Sequence, residues 1–208
     1  MTHSPRRRIV LARMGAVALA PLVATPALAA DELPPTPRMT EGPFYPREAP
    51  PERDNDLTRV PGAAGIAAGT ILDLGGRILD RRGRPVAGAA IEIWQCDAFG
   101  QYHLVGEPAA SGDARFQGWG VDRADAEGRY RFRTIRPAPY PGRTPHIHFT
   151  VLVGERRVLT SQMFVEGEPG NERDFLYRGL GREARLVTMR LEGGGAALRG
   201  RLEIVLAT

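Results

Sequence analysis

The sequence predicts an all-β protein folded as an antiparallel β-sandwich, with long loops and little helix. Glycine (25 residues) and proline (18 residues) are abundant in the chain of 208, and its apolar runs are short. Apolar and polar residues alternate over several short segments that are separated by turn residues. About seven such segments follow one another after residue 70, which is typical of a sandwich.

The first 30 residues are predicted to be a signal peptide, separate from the fold. A basic block, Arg6–Arg8, precedes an apolar run, Ile9–Leu28, and Ala27-Leu28-Ala29 forms a small-x-small cleavage pattern. The adjacent arginines resemble a twin-arginine export signal. An uncleaved membrane anchor is the alternative, but Pro21 and Pro26 interrupt the run. We therefore expect an exported protein, periplasmic or secreted, that is free of the membrane after cleavage.

Removal of this leader changes the charge balance of the chain. The leader carries four of the 28 basic residues and none of the 24 acidic ones, so 24 of each remain. A neutral balance removes the main support for a nucleic-acid or membrane partner. The single cysteine, Cys96, cannot form an internal disulfide. Stability is therefore expected to come from packing and from any bound metal.

Residues 31–70 are predicted to be an extended, proline-rich segment, and residues 71–208 a β-sandwich domain. The first part shows no helical or strand period. In the second part, Ala89–Gln95 alternates as a half-buried strand does, and Arg129–Ile135 places aromatic residues on one face and arginines on the other. Four prolines between residues 137 and 145 exclude a regular element there. The predicted strands are Leu74–Asp80, Ala89–Gln95, Arg115–Val121, Arg129–Ile135, His146–Val153, Val158–Val165, Leu186–Leu191 and Leu202–Leu206.

Two of the four histidines lie at the start of one predicted strand, as His146-Ile147-His148. Successive side chains of a strand alternate between its faces, so His146 and His148 point the same way and Ile147 points to the opposite face. Two imidazoles on one face can chelate one metal ion. The pattern alone is weak, because histidines also occur on strands as ordinary polar residues.

Tyrosines near this pair are further candidate ligands. Tyr140 lies between Pro139 and Pro141, shortly before the histidines, and Tyr102 follows the strand that holds Trp94. A tyrosine in a β protein is more often a half-buried packing residue. Two phenolates and two imidazoles would suit a hard trivalent ion, whereas the lack of clustered cysteines excludes iron–sulfur and structural zinc sites.

Several ordered stretches resemble the intradiol ring-cleavage dioxygenase family, and its protocatechuate 3,4-dioxygenase type most closely. The agreement runs from about Thr40 to the end of the chain, and several motifs in the same order are more specific than any one of them. The stretches are Thr40–Pro46, Leu74–Ile78, Ile91–Gln95, Gly100–Tyr102, Arg136–Pro141, Arg143–Phe149, Gln162–Phe164 and Glu166–Pro169.

The resemblance implies a catalytic β-sandwich that binds Fe(III) and a catechol-type substrate and cleaves the ring with O2 to a cis,cis-muconate-type diacid. The family's metal ligands fall on Tyr102, Tyr140, His146 and His148. Its second-shell arginine and glutamine fall on Arg143 and Gln162. In this scheme the catechol displaces Tyr140, whose phenolate is a natural base for a catechol proton, while Tyr102 stays bound.

Other interpretations stay open at this stage. Arg143 in a surface ion pair and Gln162 as a plain strand residue are the ordinary alternatives, and Trp94 is expected in the core. The protein as a whole is alternatively an exported β-sandwich binding module, or a degenerate site that holds copper or zinc. The sequence leaves the particular catechol undecided and is compatible with a homo-oligomer.

Overall fold

Two sheets enclose the hydrophobic core in this computed structural model, which describes residues 32–46, 48, 50, 52–102 and 112–207. The predicted signal peptide and His103 lie outside the described residues. Residues 31–208 form one compact unit. Among the described residues, ten strands form two five-stranded sheets, together with one short α-helix and one 3-10 helix.

The elements follow one another in a simple order along the chain. Six strands come first, then the two helical segments, and then four short strands. Their bounds are β1 (Ile71–Asp80), β2 (Ala90–Trp94), β3 (Trp119–Arg123), β4 (Arg129–Ile135), β5 (His146–Val153), β6 (Arg156–Val165), α1 (Phe175–Gly179), the 3-10 helix (Gly181–Leu186), β7 (Thr188–Met189), β8 (Leu191–Gly194), β9 (Ala197–Arg201) and β10 (Ile204–Leu206).

The first sheet is centred on β1, which pairs with β4 on one side and with β9 and β10 on the other, while β8 continues from β9. The second sheet has the order β3-β2-β5-β6-β7. Alternate residues of both sheets meet in one buried core, among them Leu72 and Leu74 of β1 and Ile147 and Phe149 of β5. The polar residues between them point away from the core, so each sheet has an outer face.

The predicted β-sandwich is confirmed, but its sheets are mixed. β1 runs parallel to β9 and β10, and β6 runs parallel to β7. The alternation of apolar and polar residues indicates which face of a strand is buried. It does not indicate whether the neighbouring strand runs parallel or antiparallel. The expectation of purely antiparallel pairing is therefore wrong for these three pairs.

Several element bounds also differ from the sequence prediction. The third strand begins at Trp119, because the Asp113 carboxylate accepts the Arg115 N–H and the Asp113 carbonyl accepts the Phe116 N–H, which makes a turn of residues 113–116. The predicted strand Leu186–Leu191 is replaced by β7 and the start of β8, Leu202–Leu206 shortens to β10, and β9 lies between the two and was missed. The helix α1 was not predicted, and Asp174 caps its first turn by accepting the N–H groups of Leu176 and Tyr177.

The described part of residues 31–70 contains no helix or strand, and it is held to both sheets by backbone hydrogen bonds. The Leu33 N–H donates to Arg81 and the Thr36 N–H to Val205, at the first sheet. The Met39 N–H then donates to Thr160 of β6, at 2.9 Å. Residues 40–46 are thereby brought to the outer face of the second sheet. Within the described residues, no helix has the length and apolar character that a membrane crossing requires.

Candidate active site

The two histidines of β5 face each other on the outer side of the second sheet. Ile147 between them is fully buried in the core, so the alternation of the strand turns His146 and His148 to the other side. Loops cover this side, and each histidine is only 1% exposed. The two Nε2 atoms are 3.1 Å apart.

Hydrogen bonding and burial decide the protonation of this pair. The His146 Nδ1 lies 2.6 Å from the Thr144 carbonyl oxygen, which can only accept, so Nδ1 carries the proton and Nε2 presents a lone pair. Burial, and then the Arg143 guanidinium, lower the pKa of His146 to about 4. Burial, and then His146, hold the pKa of His148 well below its usual value. Both imidazoles are therefore neutral near pH 7 and able to bind a metal ion.

A row of side chains across four strands fixes the His148 ring. Trp119, Trp94, His148 and Gln162 are cross-strand neighbours on β3, β2, β5 and β6. The Trp94 indole stacks on the His148 imidazole, with 4.9 Å between ring centroids and 14° between planes. Trp94 is 1% exposed, so it is buried as the sequence predicts, but it lies on the outer face beside His148 and not in the hydrophobic core between the sheets.

The structure brings Tyr102 and Tyr140 to the same place. The centroids of their rings are 5.6 Å apart. The Tyr140 ring centroid lies 5.4 Å from that of His146, and the Tyr102 ring centroid lies 6.3 Å from that of His148. Within the described part of the chain, the buried Tyr102 hydroxyl has no hydrogen-bond partner. Burial, and then the neighbouring Tyr140, raise the pKa of Tyr102. Burial also raises the pKa of Tyr140, although Arg143 opposes this effect.

The segment 40–45 supplies a third aromatic ring, which the sequence did not assign to the site. The Phe44 ring stacks on Tyr102, with a centroid distance of 4.2 Å and 10° between planes, and meets Tyr140 edge-on at 5.9 Å. Gly42 allows the chain to take this path, because its φ is +75°, a backbone conformation that other residues rarely adopt. Tyr45, which follows Phe44 in the chain, packs edge-on against Trp94, with 4.9 Å between the ring centroids.

Arg143 is the polar centre of the cluster. Its Nη1 lies 3.3 Å from His146 Nε2 and 3.4 Å from the Tyr140 hydroxyl, and its Nη2 donates to Gln162 Oε1 at 2.6 Å. Gln162 is fully buried and donates in turn to the Thr40 carbonyl at 3.1 Å. Because the Arg143 side chain is only 10% exposed, the surface ion-pair alternative does not hold.

Asp174 holds Arg143 in place, and sequence reasoning missed this role. Its side chain is fully buried and accepts the Arg143 Nε at 2.7 Å and the Thr144 N–H at 3.0 Å. Burial alone would raise the pKa of Asp174, but the donors from Thr144, Tyr177 and Arg143 outweigh it and lower that pKa. An aspartate before a short apolar run signals a helix N-cap, whereas nothing local signals its pairing with an arginine 31 residues earlier.

The donor set fits a hard metal ion. Among the described residues, no group of three or more His, Cys, Asp or Glu side chains could hold a metal, so a site here needs the tyrosines. The 3.1 Å between the two Nε2 atoms is close to the spacing of two nitrogens that each lie ~2.1 Å from one ion, at an angle of ~95°. The unpaired Tyr102 hydroxyl supplies a buried anionic oxygen once it is deprotonated by a metal. The residues able to hold the ion are Tyr102, Tyr140, His146 and His148.

Comparison with known proteins gives consistent similarities. A family model described as "Dioxygenase" matches residues 40–207. The β chain of protocatechuate 3,4-dioxygenase from Burkholderia cepacia is 38% identical over 154 residues, which are 69% of this chain and 65% of that one. Hydroxyquinol 1,2-dioxygenase from Corynebacterium glutamicum is 35% identical over 147 residues, 62% of this chain and 45% of that one. The chain thus spans less than two thirds of the lengths of these two relatives.

Solved structures show the same sandwich. One is the dioxygenase domain of a dioxygenase and carbohydrate-binding protein fusion from Streptomyces sp. SirexAA-E, with a TM-score of 0.68 and 31% identity over 84% of this chain and 99% of that one. Another is catechol 1,2-dioxygenase from Acinetobacter sp. ADP1, with a TM-score of 0.63 and 26% identity over 83% of this chain and 62% of that one.

Proposed function

The chain belongs to the intradiol ring-cleavage dioxygenase family, and from this premise we propose that it is an Fe(III) enzyme that opens a catechol-type ring with O2. Cleavage would fall between the two hydroxyl-bearing carbons and give a cis,cis-muconate-type diacid. The observation that supports this most directly is the meeting of two neutral imidazoles and two phenols around one point, with a buried arginine beside them.

The ligand roles follow from how firmly each side chain is held. His146 and His148 are fixed by the β5 backbone, by Thr144 and by Trp94, which suits permanent nitrogen ligands. Tyr102 is stacked flat against Phe44 and suits a permanent phenolate. Bound Fe(III) would supply Lewis acidity and the redox coupling between the catechol ring and O2.

Tyr140 is proposed as the mobile ligand and proton acceptor. Its side chain is half-buried and meets Phe44 only by an edge, whereas the Tyr102 ring is stacked flat. The Tyr140 hydroxyl lies 3.4 Å from the Arg143 guanidinium, and as a phenolate held by Fe(III) its oxygen can take the proton of an incoming catechol hydroxyl. The protonated Tyr140 then moves aside and leaves room for the substrate oxygen.

Arg143 is proposed to stabilise negative charge that develops on the substrate. A buried guanidinium beside the ligands lowers the energy of such charge without reorganising, because Asp174 and Gln162 already fix its orientation. Gln162 acts through Arg143 as a positioning residue. The ring of Phe44 and the covering segment 40–45 restrict water at the same point.

The first test is the absorption of purified, iron-loaded protein. We expect a broad visible band from phenolate-to-Fe(III) charge transfer, altered by Tyr140→Phe together with a loss of turnover. Tyr45→Phe is the matched control, because the Tyr45 hydroxyl bonds to Glu92 at 2.8 Å and lies outside the ligand set. A colourless protein replete with iron would contradict the ligand assignment.

The second test is product analysis under O2. Catechol, protocatechuate and hydroxyquinol form the panel, because the relatives are named for them. We expect a ring-opened diacid from at least one of them with iron-loaded protein and none with zinc-loaded protein. Equal turnover with the two metals would refute a redox mechanism. We also propose export by the predicted leader, which the mature N-terminus of periplasmic or secreted protein would test.

A further inference from the structure

Three turns of the described chain share one hydrogen-bond pattern, and one of them leads directly into Tyr102. In each turn an aspartate is followed, three positions later, by a glycine with a φ between +74° and +77°. Oδ1 of the aspartate accepts the backbone N–H groups two and four positions later, at 2.8–3.0 Å. The three turns are Asp80–Arg84, Asp97–Gln101 and Asp125–Arg129.

The second carboxylate oxygen distinguishes the turn beside the candidate site from the other two. In the turns of Asp80 and Asp125, Oδ2 accepts the Nε of the arginine four positions later, at 2.6 and 2.7 Å. In the turn of Asp97 that position holds Gln101, and Oδ2 accepts the Asp113 N–H at 2.7 Å. The fully buried Asp97 carboxylate thus binds a residue 16 positions further along the chain.

Tyr102 lies between the two points that this carboxylate holds. It directly follows Gln101, whose N–H is bound by Oδ1 of Asp97, and it precedes Asp113, whose N–H is bound by Oδ2. Asp113 is itself fixed, because its buried carboxylate accepts the Ala68 N–H at 2.5 Å. One carboxylate therefore holds the chain on both sides of Tyr102 and limits the positions that its ring can take.

The same turn contacts the loop of the other tyrosine. A Cβ at Gly100 would lie 3.0 Å from the Pro139 carbonyl oxygen and 3.4 Å from the Tyr140 Cβ, so the turn and the loop are in close contact. The Cys96 thiol, directly before the turn, donates to the Ala138 carbonyl at 3.4 Å. A displacement of the turn would therefore change the spacing of the two phenol rings.

We propose that Asp97 is a positioning residue for Tyr102, which holds this phenol where it can bind the metal ion. The inference rests on the proposed function, because it needs Tyr102 as a ligand. Within the described residues the Tyr102 hydroxyl has no hydrogen-bond partner, so its ring is placed by the backbone and by the stacked Phe44. A turn that only reversed the chain would need no more than the local bonds seen at Asp80.

The test compares Asp97→Ala with Asp80→Ala in a Tyr140→Phe background, where Tyr102 is the one phenolate of the proposed ligand set. Both changes remove the acceptor from the same kind of turn. Asp97→Ala should shift the remaining phenolate-to-Fe(III) band and make iron release to a chelator roughly tenfold faster. Asp80→Ala, at the end of β1 in the first sheet, should change neither.

Asp97→Asn is the conservative variant, and it keeps the test decisive if the alanine variant does not fold. Its amide oxygen can still accept the two N–H groups of the turn, but its NH2 group cannot accept the Asp113 N–H. We therefore expect a shift of the band in the same direction as in Asp97→Ala, and a smaller one.

Two results would overturn the proposal. The first is an unchanged band and unchanged iron release in the Asp97 variants. The second is an equal effect of Asp80→Ala, which would reduce the contribution of Asp97 to general stability. A parent chain that binds iron without any visible band would instead contradict the proposed function, and this inference with it.

Discussion

Replacing Asp174 by Asn is the sharpest test of how the candidate site is held together. The two side chains have nearly the same shape, so packing is preserved. Oδ2 of Asp174 accepts the Arg143 Nε–H and the Thr144 N–H, while Oδ1 accepts two N–H groups of α1. An asparagine amide has one oxygen and one NH2 group, so either orientation directs a donor at two other donors.

The expected magnitude follows from burial. The Asp174 side chain is fully buried and that of Arg143 is 10% exposed. Removing one partner of a buried ion pair costs about 3–5 kcal/mol, because the other charge is left uncompensated. Since water can reach part of Arg143, we expect the free energy of unfolding to fall by about 3 kcal/mol, from a total of about 5–15 kcal/mol. The melting temperature should fall by roughly 6–12 °C.

Urea and thermal unfolding of iron-free protein measure this loss. Asp125→Asn is the matched control, because Asp125 also accepts from an arginine and from backbone N–H groups, but its side chain is 42% exposed. The control should change the urea midpoint far less. Equal midpoints for the two variants would show that the Asp174–Arg143 pair contributes no more than a surface pair, and the reasoning from burial would be wrong.

Four further predictions follow from the same geometry. Phe44→Leu should shift the phenolate-to-Fe(III) band and lower iron retention, whereas Phe99→Leu, at a residue 63% exposed, should change neither. The pKa of His146 is about 4 in the folded protein and about 6.5 in the unfolded chain, so the unfolded chain binds a proton first as the pH falls. The free energy of unfolding should therefore decrease between about pH 6.5 and pH 4, which urea unfolding at several pH values would measure. Removal of iron by a chelator should abolish the visible band and lower the melting temperature, and reloading should restore both. The mature N-terminus, read by mass spectrometry, should lie at the end of the predicted leader, just after Ala29 or Ala30.

Local patterns predicted the parts of the fold that depend on local geometry. The alternation of β5 was sufficient to place His146 and His148 on one face, because a strand fixes the direction of its side chains. The register of β5 with β6, which sets Gln162 beside His148, depends on pairing between segments and was not predicted; only the family resemblance pointed to Gln162.

Contacts between distant segments had no local signal. Phe44 meets Tyr102 across 58 positions of sequence, because the N-terminal segment is drawn over the second sheet by bonds such as that from Met39 to Thr160. The parallel pairing of β9 and β10 with β1 likewise depends on how the chain returns to the first sheet. Sequence reasoning therefore named residues that the structure brings together, and it missed Phe44 and Asp174, which support them.

The path of the N-terminal segment has a consequence for shortening the protein. A chain trimmed to begin at Glu52 would retain all ten described strands and every residue of the hydrophobic core, including Leu57 and Ala67. It would lose Phe44 and the Thr40 carbonyl that anchors Gln162. The minimal folding unit and the minimal working unit are thus of different lengths, and a truncation series should lose iron binding well before it loses its β-sheet signal in circular dichroism.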